Sequence, residues 1–227
     1  MSIITESAHS RQAMIESQLL TGEVIAPEVI AAFTKVPRDL FVPEKYKNAA
    51  YVDEDMEVSF GRYLLEPLTL GRMFILADIK PTDTVLDIGC ASGYSSAIAS
   101  NLAQKVIALE EVRDLAEKAR KNLAYIGCSN VEVLSSSLQE GCHAKGPYQV
   151  ILIQGAVEYI PSGLQEQLAE GGKLVTVENI MKRSDSTGGL GRLIVYTKVN
   201  NELFATRMFD ASVPVLAAFQ KKNGFDF

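Results

Sequence analysis

The stretch VLDIGCASGY, residues 85–94, decides the fold. Its apolar first half predicts a buried strand, and Gly89 and Gly93 then predict a turn that runs directly into a helix. Glycine permits tight turning and close approach of a ligand, and the start of the helix offers unpaired N–H groups to an anionic carboxylate. The spacing G-x-x-x-G differs from the G-x-G-x-x-G of dinucleotide sites, so the ligand need not be a dinucleotide. The alternative is a turn that uses glycine for its geometry alone.

Around this turn, short apolar runs alternate with helical patterns, which predicts βαβ units. The last two apolar runs flank Asn200, Asn201 and Glu202, and therefore predict an antiparallel hairpin. The expected fold is α/β and Rossmann-like, with a mostly parallel sheet and a C-terminal antiparallel hairpin. The predicted strands are residues 84–88, 105–110, 131–135, 149–154, 173–177, 193–199 and 203–209, and the helices between them are 94–102, 112–126 and 163–168.

The first 79 residues have a different pattern and predict a helical elaboration with a substrate-side loop. We expect it to form one domain, residues 1–227, together with a cofactor-binding core over residues 80–227. VPRDLFVP, residues 36–43, predicts a rigid, packed connection, and the acidic stretch 51–63 predicts an irregular loop of the kind that often carries function. Helices are predicted over residues 3–20, from Pro27 onward, and over 67–78.

Composition limits the partners. The chain has 22 Lys and Arg against 28 Asp and Glu, a net charge of -6, and no long basic cluster, so nucleic acid is not expected. Three cysteines without CxxC spacing and two histidines predict neither a disulfide framework nor a metal site. No apolar run approaches ~18 residues, so no membrane span is expected. These features predict a cytoplasmic protein, and they leave its oligomeric state open.

Two acids close neighbouring predicted strands. Asp87 is placed to accept a hydrogen bond from a ligand ammonium group. Glu110 lies about 20 residues after the first glycine, where nucleotide-binding folds place the acid that holds ribose hydroxyls. The alternative is that Glu110 and Glu111 only cap the following helix. Gln154 and Glu158 lie near the carboxyl end of the fourth strand, where open α/β sheets bind ligands, although Glu158 is equally typical of a solvated charge at a helix start.

Several motifs spread along the chain resemble the protein-L-isoaspartate O-methyltransferase family. They are VPRDLFVP, Ala50-Tyr51, VLDIGCASGY, the strand 106–110, Ile160-Pro161 and GGKLV at 171–175. The resemblance implies a class I methyltransferase fold and methyl transfer from S-adenosylmethionine, with S-adenosylhomocysteine as product. The implied acceptor is the free carboxylate of an isoaspartyl residue in damaged protein or peptide, and no metal is implied. The cofactor contacts implied are Asp87, Gly89, Cys90, Gly93, Glu110, Ser137, Leu138 and Gln154.

On the cofactor side, two residues differ from the family pattern. Ser137 stands where the family usually has an aspartate near the adenine amino group, so the backbone around Leu138 is expected to supply more of that contact. Ala91 stands where glycine is usual, and its methyl group is expected to be accommodated. Cys90 is expected to pack rather than to act as a nucleophile, since no histidine lies near it in sequence.

The loop GRYLLEP, residues 61–67, differs more from the family's GQTIS-x-P. Tyr63 replaces the threonine, and Leu65, which cannot donate a hydrogen bond, replaces the active-site serine. This leaves Arg62 and Tyr63 as the candidates to bind the acceptor. The guanidinium of Arg62 is suited to clamp a carboxylate, but an exposed loop arginine paired with Glu66 or Asp55 is the simpler interpretation.

Three functions therefore remain open: isoaspartyl methylation, methylation of a different acceptor, and a non-catalytic role in binding a cofactor or partner. We further expect a bulky side chain at Gly93 to enter the ligand face of the turn. Residues 184–191, SDSTGGLG, predict a mobile loop, and the apolar segment 210–219 is expected to pack on the protein.

Overall fold

The computed structural model describes residues 3–59, 61–181 and 190–221. Most of the predicted mobile loop, residues 184–189, lies outside the described residues, while Leu190 and Gly191 belong to a strand. The helices are α1 (Ile3–Met14), continued by a π-helical turn (Ile15–Leu19), α2 (Pro27–Lys35), α3 (Pro67–Ala77), α4 (Tyr94–Ser100), α5 (Arg113–Tyr125) and α6 (Ser162–Glu166). The strands are β1 (Met56–Ser59), β2 (Arg62–Leu64), β3 (Thr84–Ile88), β4 (Lys105–Glu110), β5 (Val131–Ser135), β6 (Tyr148–Val157), β7 (Leu168–Met181), β8 (Leu190–Val199) and β9 (Glu202–Ala211).

The main sheet has the strand order β5-β4-β3-β6-β7-β8-β9. Strands β3 to β7 pair in parallel, and β8 and β9 add antiparallel pairs at one edge. This confirms the predicted mostly parallel α/β sheet and its C-terminal hairpin. The chain runs outward from β3 through β4 to β5 and then returns to β6, so the strand order reverses between β3 and β6. Open α/β sheets bind ligands at such a switch point, outside the carboxyl ends of the strands.

Apolar side chains cover both faces of the sheet, because successive residues of a strand point to opposite sides. Val85 of β3 joins one apolar cluster, with the N-terminal helices, α3, α4 and α5, whereas Leu86 and Ile88 join the other. The second cluster contains Leu164 of α6 and Phe219 near the end of the described chain.

The VPRDLFVP segment is a packed connection, as expected. Its Arg38 is fully buried, donates from Nε to the carbonyl oxygen of Ala50 at 2.8 Å, and lies 5.0 Å from the centroid of the Tyr94 ring. Phe41 packs on the same ring, with centroids 5.5 Å apart. Since Tyr94 opens α4, this segment fixes the N-terminal region against the glycine turn.

The prediction of an irregular loop over 51–63 was wrong in part, because β1 and β2 form an antiparallel hairpin there. Met56 and Val58 are buried on alternate positions of β1, but neighbouring acidic residues obscure this alternation in the sequence. Two of those acids bind the start of α3. Asp53 accepts from the N–H of Leu68 at 3.1 Å, and Asp55 accepts from the N–H of Glu66 at 2.9 Å.

Residues 212–220 form a strap along the end of β6. Ala156 donates its N–H to the carbonyl of Pro214 at 2.9 Å and accepts from the N–H of Leu216 at 3.0 Å. Val213, Leu216 and Phe219 are buried, which confirms that this apolar segment packs on the protein. Within the parts of the chain that the structure describes, none of the helices is long and apolar enough to cross a membrane.

Candidate active site

Asp87 lies at the switch point, fully buried near the end of β3. Its Oδ2 accepts from the hydroxyls of Ser95 and Ser96 at 2.6 and 2.5 Å, and its Oδ1 accepts from Nε2 of Gln154 at 2.7 Å. Burial raises the pKa of Asp87 above its ordinary value, and the three donors oppose that rise. The structure therefore brings the predicted residues Asp87 and Gln154 together across β3 and β6. It also places them beside two serines that the sequence prediction missed.

The glycine turn has the backbone geometry that its sequence predicts. Gly89 and Gly93 have φ values of +75° and +99°, in the region that favours glycine. The N–H groups of Gly89 and Cys90 donate to the carbonyl of Leu109 at 2.8 and 3.2 Å. These two groups thus bind the end of β4 and hold the turn on it. The helix whose start is expected to offer unpaired N–H groups to a ligand begins later, at Tyr94.

The expected position of a side chain at Gly93 was wrong. A Cβ built there would lie 3.2 Å from Leu123 and 3.3 Å from Ala119, both on α5, and would not enter a ligand face. A Cβ on Gly89 would instead lie 3.4 Å from Leu216 of the strap and 3.8 Å from Leu138. Ala91 does accommodate its methyl group, at a φ of +50° and almost fully buried.

Glu110 is fully buried at the end of β4. Its Oε2 accepts from the N–H of Ala91 at 3.0 Å, and its Oε1 accepts from the N–H of Val112 at 3.0 Å and from Nε of Arg62 at 3.1 Å. The bond to Val112, which precedes α5, is the helix-capping contact considered as the alternative role for Glu110. The bond from the N–H of Ala91 also joins Glu110 to the glycine turn, which lies at the switch point.

The predicted pairing of Arg62 with Glu66 or Asp55 was wrong. Arg62 is only 4% exposed, and its guanidinium binds Glu110 through Nε and Glu111 through Nη2. The reason is the β1–β2 hairpin, which turns Arg62 toward the end of β4 while Asp55 binds the start of α3. The guanidinium of Arg62 does clamp carboxylates. In this structure they are the side chains of Glu110 and Glu111 and not the carboxylate of an acceptor.

The rest of the loop covers the glycine turn. Tyr63 is half-buried and burial raises its pKa, whereas Leu64 and Leu65 are buried. Beneath them lies a cavity of about 10 Å³, roughly the space that one water molecule needs. It is lined by Tyr63, Leu64, Leu65, Leu70, Gly89, Cys90, Tyr94, Ser95 and Gln154.

Ser137 and Leu138 follow β5 on the other side of the turn. Ser137 is half-buried, and Leu138 is fully buried with its side chain toward Gly89. Cys90 is 1% exposed, and burial raises the pKa of its thiol well above the ordinary value, which confirms a packing role. Elsewhere, Glu158 accepts from the N–H of Lys221 at 2.7 Å and so helps to hold the strap.

The sequence analysis did not predict Ser95 and Ser96 as site residues, although their position in the sequence could have indicated them. They lie in the first turn of the helix that follows the glycine turn, a position that faces the end of the preceding strand. Leu216 could not be predicted, because only the tertiary fold places it against Gly89 and Gly155. Across the described ranges, no group of three or more His, Cys, Asp or Glu side chains could hold a metal ion.

Comparison with known proteins decides the family. The sequence profile of the protein-L-isoaspartate(D-aspartate) O-methyltransferase family matches residues 9–205. The chain belongs to this family. It is similar to the protein-L-isoaspartate O-methyltransferase of Methanoregula boonei, with 38% identity over 165 residues that make up 73% of this chain and 76% of the relative. The enzyme of the same name from a Synechococcus species is 34% identical over 191 residues, 84% of this chain and 78% of the relative.

Solved structures confirm the fold. A protein-L-isoaspartate O-methyltransferase superposes with a TM-score of 0.77 at 21% identity, covering 90% of this chain and 65% of the other. A putative protein-L-isoaspartate O-methyltransferase from Plasmodium falciparum, in complex with S-adenosyl-L-homocysteine, gives a TM-score of 0.75 at 21% identity. That match covers 92% of this chain and 98% of the other. The predicted Rossmann-like class I methyltransferase fold is therefore confirmed.

Proposed function

We propose that this protein is an S-adenosylmethionine-dependent O-methyltransferase that methylates a carboxylate of damaged protein, in first place the isoaspartyl carboxylate. The observation that carries the proposal is the family match over residues 9–205, which spans the hairpin and the sheet as far as the first residues of β9. The site supports it with two buried acids, Asp87 and Glu110, at the carboxyl ends of adjacent strands. The relatives named above carry the same activity in their names, and one solved neighbour binds the product form of the donor.

The acids fit the donor by their remaining hydrogen-bonding capacity. A carboxylate oxygen accepts about two hydrogen bonds. Among the described residues, Oδ1 of Asp87 accepts one, from Gln154, and Oε2 of Glu110 accepts one, from Ala91. Asp87 would bind the donor's ammonium group and Glu110 its ribose hydroxyls. The turn at Gly89 and Cys90 and the backbone near Ser137 and Leu138 would complete the site.

The donor supplies an already activated methyl group on a sulfonium. The protein's task is then to align an acceptor oxygen with that methyl and to exclude water. Leu64 and Leu65 are placed for the second task, because they are buried over the turn. Arg62 and Tyr63 are the candidates to orient the acceptor carboxylate, since both lie on the hairpin beside the turn.

One observation favours a second candidate function, methylation of a different acceptor. Leu65 is 2% exposed where the family has its active-site serine, so an acceptor carboxylate placed there would lose a hydrogen-bond donor. The apolar side chains of Leu64 and Leu65, where the family has a hydroxyl, suit an acceptor with apolar groups beside its carboxylate. A non-catalytic binding role is the remaining alternative, and it predicts donor binding without transfer to either acceptor class.

The test is transfer of labelled methyl from S-adenosylmethionine to an isoaspartyl peptide, with its aspartyl twin as control. We expect transfer to the isoaspartyl peptide alone. Leu65→Ser should raise the rate, because it restores the missing donor, and Leu64→Ser should not. Donor binding without transfer to the isoaspartyl peptide by either the wild type or Leu65→Ser would contradict isoaspartyl methylation. Transfer to an acceptor with apolar groups beside its carboxylate would then separate the second function from the non-catalytic role.

We also propose a cytoplasmic location with a protein or peptide as acceptor. The three cysteines, Cys90, Cys128 and Cys142, are free thiols in the structure, as is typical of a reducing compartment.

A further inference from the structure

The guanidinium of Arg62 binds Glu110, the acid that the proposed function assigns to the donor's ribose hydroxyls. Its Nε donates at 3.1 Å to Oε1 of Glu110, and its Nη2 binds Glu111. The side chains of Arg62 and Glu110 are 5% and 0% exposed, so solvent hardly screens this pair. Glu111 is more open, with 35% of its side chain exposed.

We propose that Arg62 is a latch on the donor site, competing with the donor's ribose hydroxyls for Glu110, so that binding of the donor requires the β1–β2 hairpin to move. This inference rests on the proposed function, because it takes Glu110 as the ribose acid. It goes beyond that function by making access to the site depend on a residue of the acceptor loop.

The bonding of Glu110 shows the competition. Oε1 already accepts from Arg62 and from the N–H of Val112, which uses its two acceptor positions. The Val112 bond belongs to the start of α5 and is fixed by the backbone. One ribose hydroxyl can bind the free position on Oε2, but a diol that also donates to Oε1 must replace Arg62 there.

The space beneath the hairpin leads to the same conclusion. The cavity between Tyr63, Leu65 and the turn at Gly89 has a volume of only about 10 Å³. Ligand sites for molecules of the donor's size typically have volumes of roughly 300–1,000 Å³. One outward movement of the hairpin would both widen this cavity and withdraw Arg62 from Glu110.

The hairpin is built in a way that allows such a movement. Strands β1 and β2 form a two-stranded sheet of their own, and among the described residues no strand pairing joins them to the seven-stranded sheet. The turn residue Gly61 is exposed, and apart from its chain neighbours no atom of the described residues lies within 4 Å of a Cβ built on it. Apolar burial of Met56, Val58, Leu64 and Leu65 also holds the hairpin. The ion pairs of Arg62 with Glu110 and Glu111 are the charged contacts that hold it to the end of β4.

The first test compares S-adenosylhomocysteine affinity, measured by calorimetry, in the wild type, Arg62→Gln and Glu111→Gln. We expect Arg62→Gln to bind roughly tenfold more tightly, and Glu111→Gln about threefold, within the usual range of coupling between two sites. Without ligand, Arg62→Gln should melt at a lower temperature, because Glu110 is left buried without its cation. A purely structural role of Arg62 predicts this loss of stability without any gain in affinity.

Arg113→Gln is the matched control, since Arg113 is 84% exposed, pairs with Glu117 and involves the same change of charge. Its affinity should equal that of the wild type. Unchanged or weaker binding in Arg62→Gln would overturn the latch while leaving the proposed function intact. If that variant does not fold, unchanged affinity in Glu111→Gln overturns the latch. Absence of binding in the wild type and in all variants would overturn both proposals.

Discussion

At the scale of single residues, Asp55, which lies just before the hairpin, makes the stability of the fold depend on pH. Its carboxylate, just before β1, accepts from the N–H of Glu66, yet burial raises its pKa to about 7. The folded state therefore holds the proton more tightly than the unfolded chain, where the ordinary value is 3.8. The stabilisation due to the neutral form is complete below about pH 4 and is lost as the pH rises through about 7.

Asp55→Asn should remove this dependence, because the amide oxygen still accepts from Glu66 and carries no charge. We expect the variant to exceed the wild type in free energy of unfolding at pH 8 by about 1–2 kcal/mol, less than the full shift implies, since Asp55 is partly exposed. The difference should shrink toward pH 4. Urea unfolding at several pH values measures it, with exposed Glu54→Gln as control. An Asp55→Asn curve parallel to the wild type across this range would refute the argument.

Sequence and structure agree for some residues of the candidate site and differ for others. Asp87 and Glu110 lie near the carboxyl ends of β3 and β4, as predicted. Their positions could be predicted because the apolar pattern of the sequence shows where each strand ends. The partner of Arg62 could not be predicted, because 48 residues separate it from Glu110. Only the hairpin's geometry selects Glu110 over the nearer Glu66 and Asp55.

At the scale of elements, the glycine turn is held between β3, α4 and α5. Gly93 combines a φ of +99° with neighbours at 3.2–3.3 Å from the Cβ position, on Leu123 and Ala119. The left-handed backbone strains any side chain at this position. The close neighbours on α5 leave no room for one.

Gly93→Ala should therefore destabilise the fold by about 1–3 kcal/mol, through the left-handed backbone and the crowding against α5. Gly163→Ala is the matched control, because Gly163 lies in α6 and, in the described part of the chain, only its own neighbours lie within 4 Å of its Cβ position. That variant should differ from the wild type by less than about 0.5 kcal/mol, or gain slightly. Chemical denaturation compares the two, and equal stability of both variants would contradict this account of the turn.

The elements themselves were predicted with unequal success. The bounds of β3, β4 and β5 agree with the sequence prediction, since each is a short apolar run ending at a turn. Strands β6 and β7 are longer than predicted. β7 runs on beside β8 as far as Met181, and pairing with a neighbour can extend a strand beyond its apolar run. The β1–β2 hairpin was missed because its few apolar positions alternate with acids.

At the scale of the whole molecule, the strap joins the C-terminal part of the described chain to the middle of the sheet. Residues 212–220 return from the far edge of the sheet to β6, and Phe219 is fully buried in the second apolar cluster. The N–H of Glu158 donates to the carbonyl of Phe219 at 3.0 Å, which ties this end of the strap to the region after β6. The strap therefore stabilises the sheet and also borders the glycine turn through Leu216.

Phe219→Ala should cost about 3–5 kcal/mol of unfolding free energy, because it removes a buried aromatic ring from this cluster. Phe204→Ala is the control, since Phe204 is 55% exposed on the edge strand β9, and it should cost less than about 0.5 kcal/mol. Thermal unfolding separates the two. If the two variants lost similar amounts, the strap would not be part of the cooperative core.

The sequence by itself determined the family, the mostly parallel sheet and the two acids at the strand ends, because these follow from local patterns and motifs. Only the tertiary structure decided that Arg62 binds Glu110 and Glu111, that Leu216 covers the turn, and that Gly93 faces α5. Each of these contacts joins residues far apart in the chain. Their energy comes from burial and charge pairing that exist only once the hairpin, sheet and strap have come together.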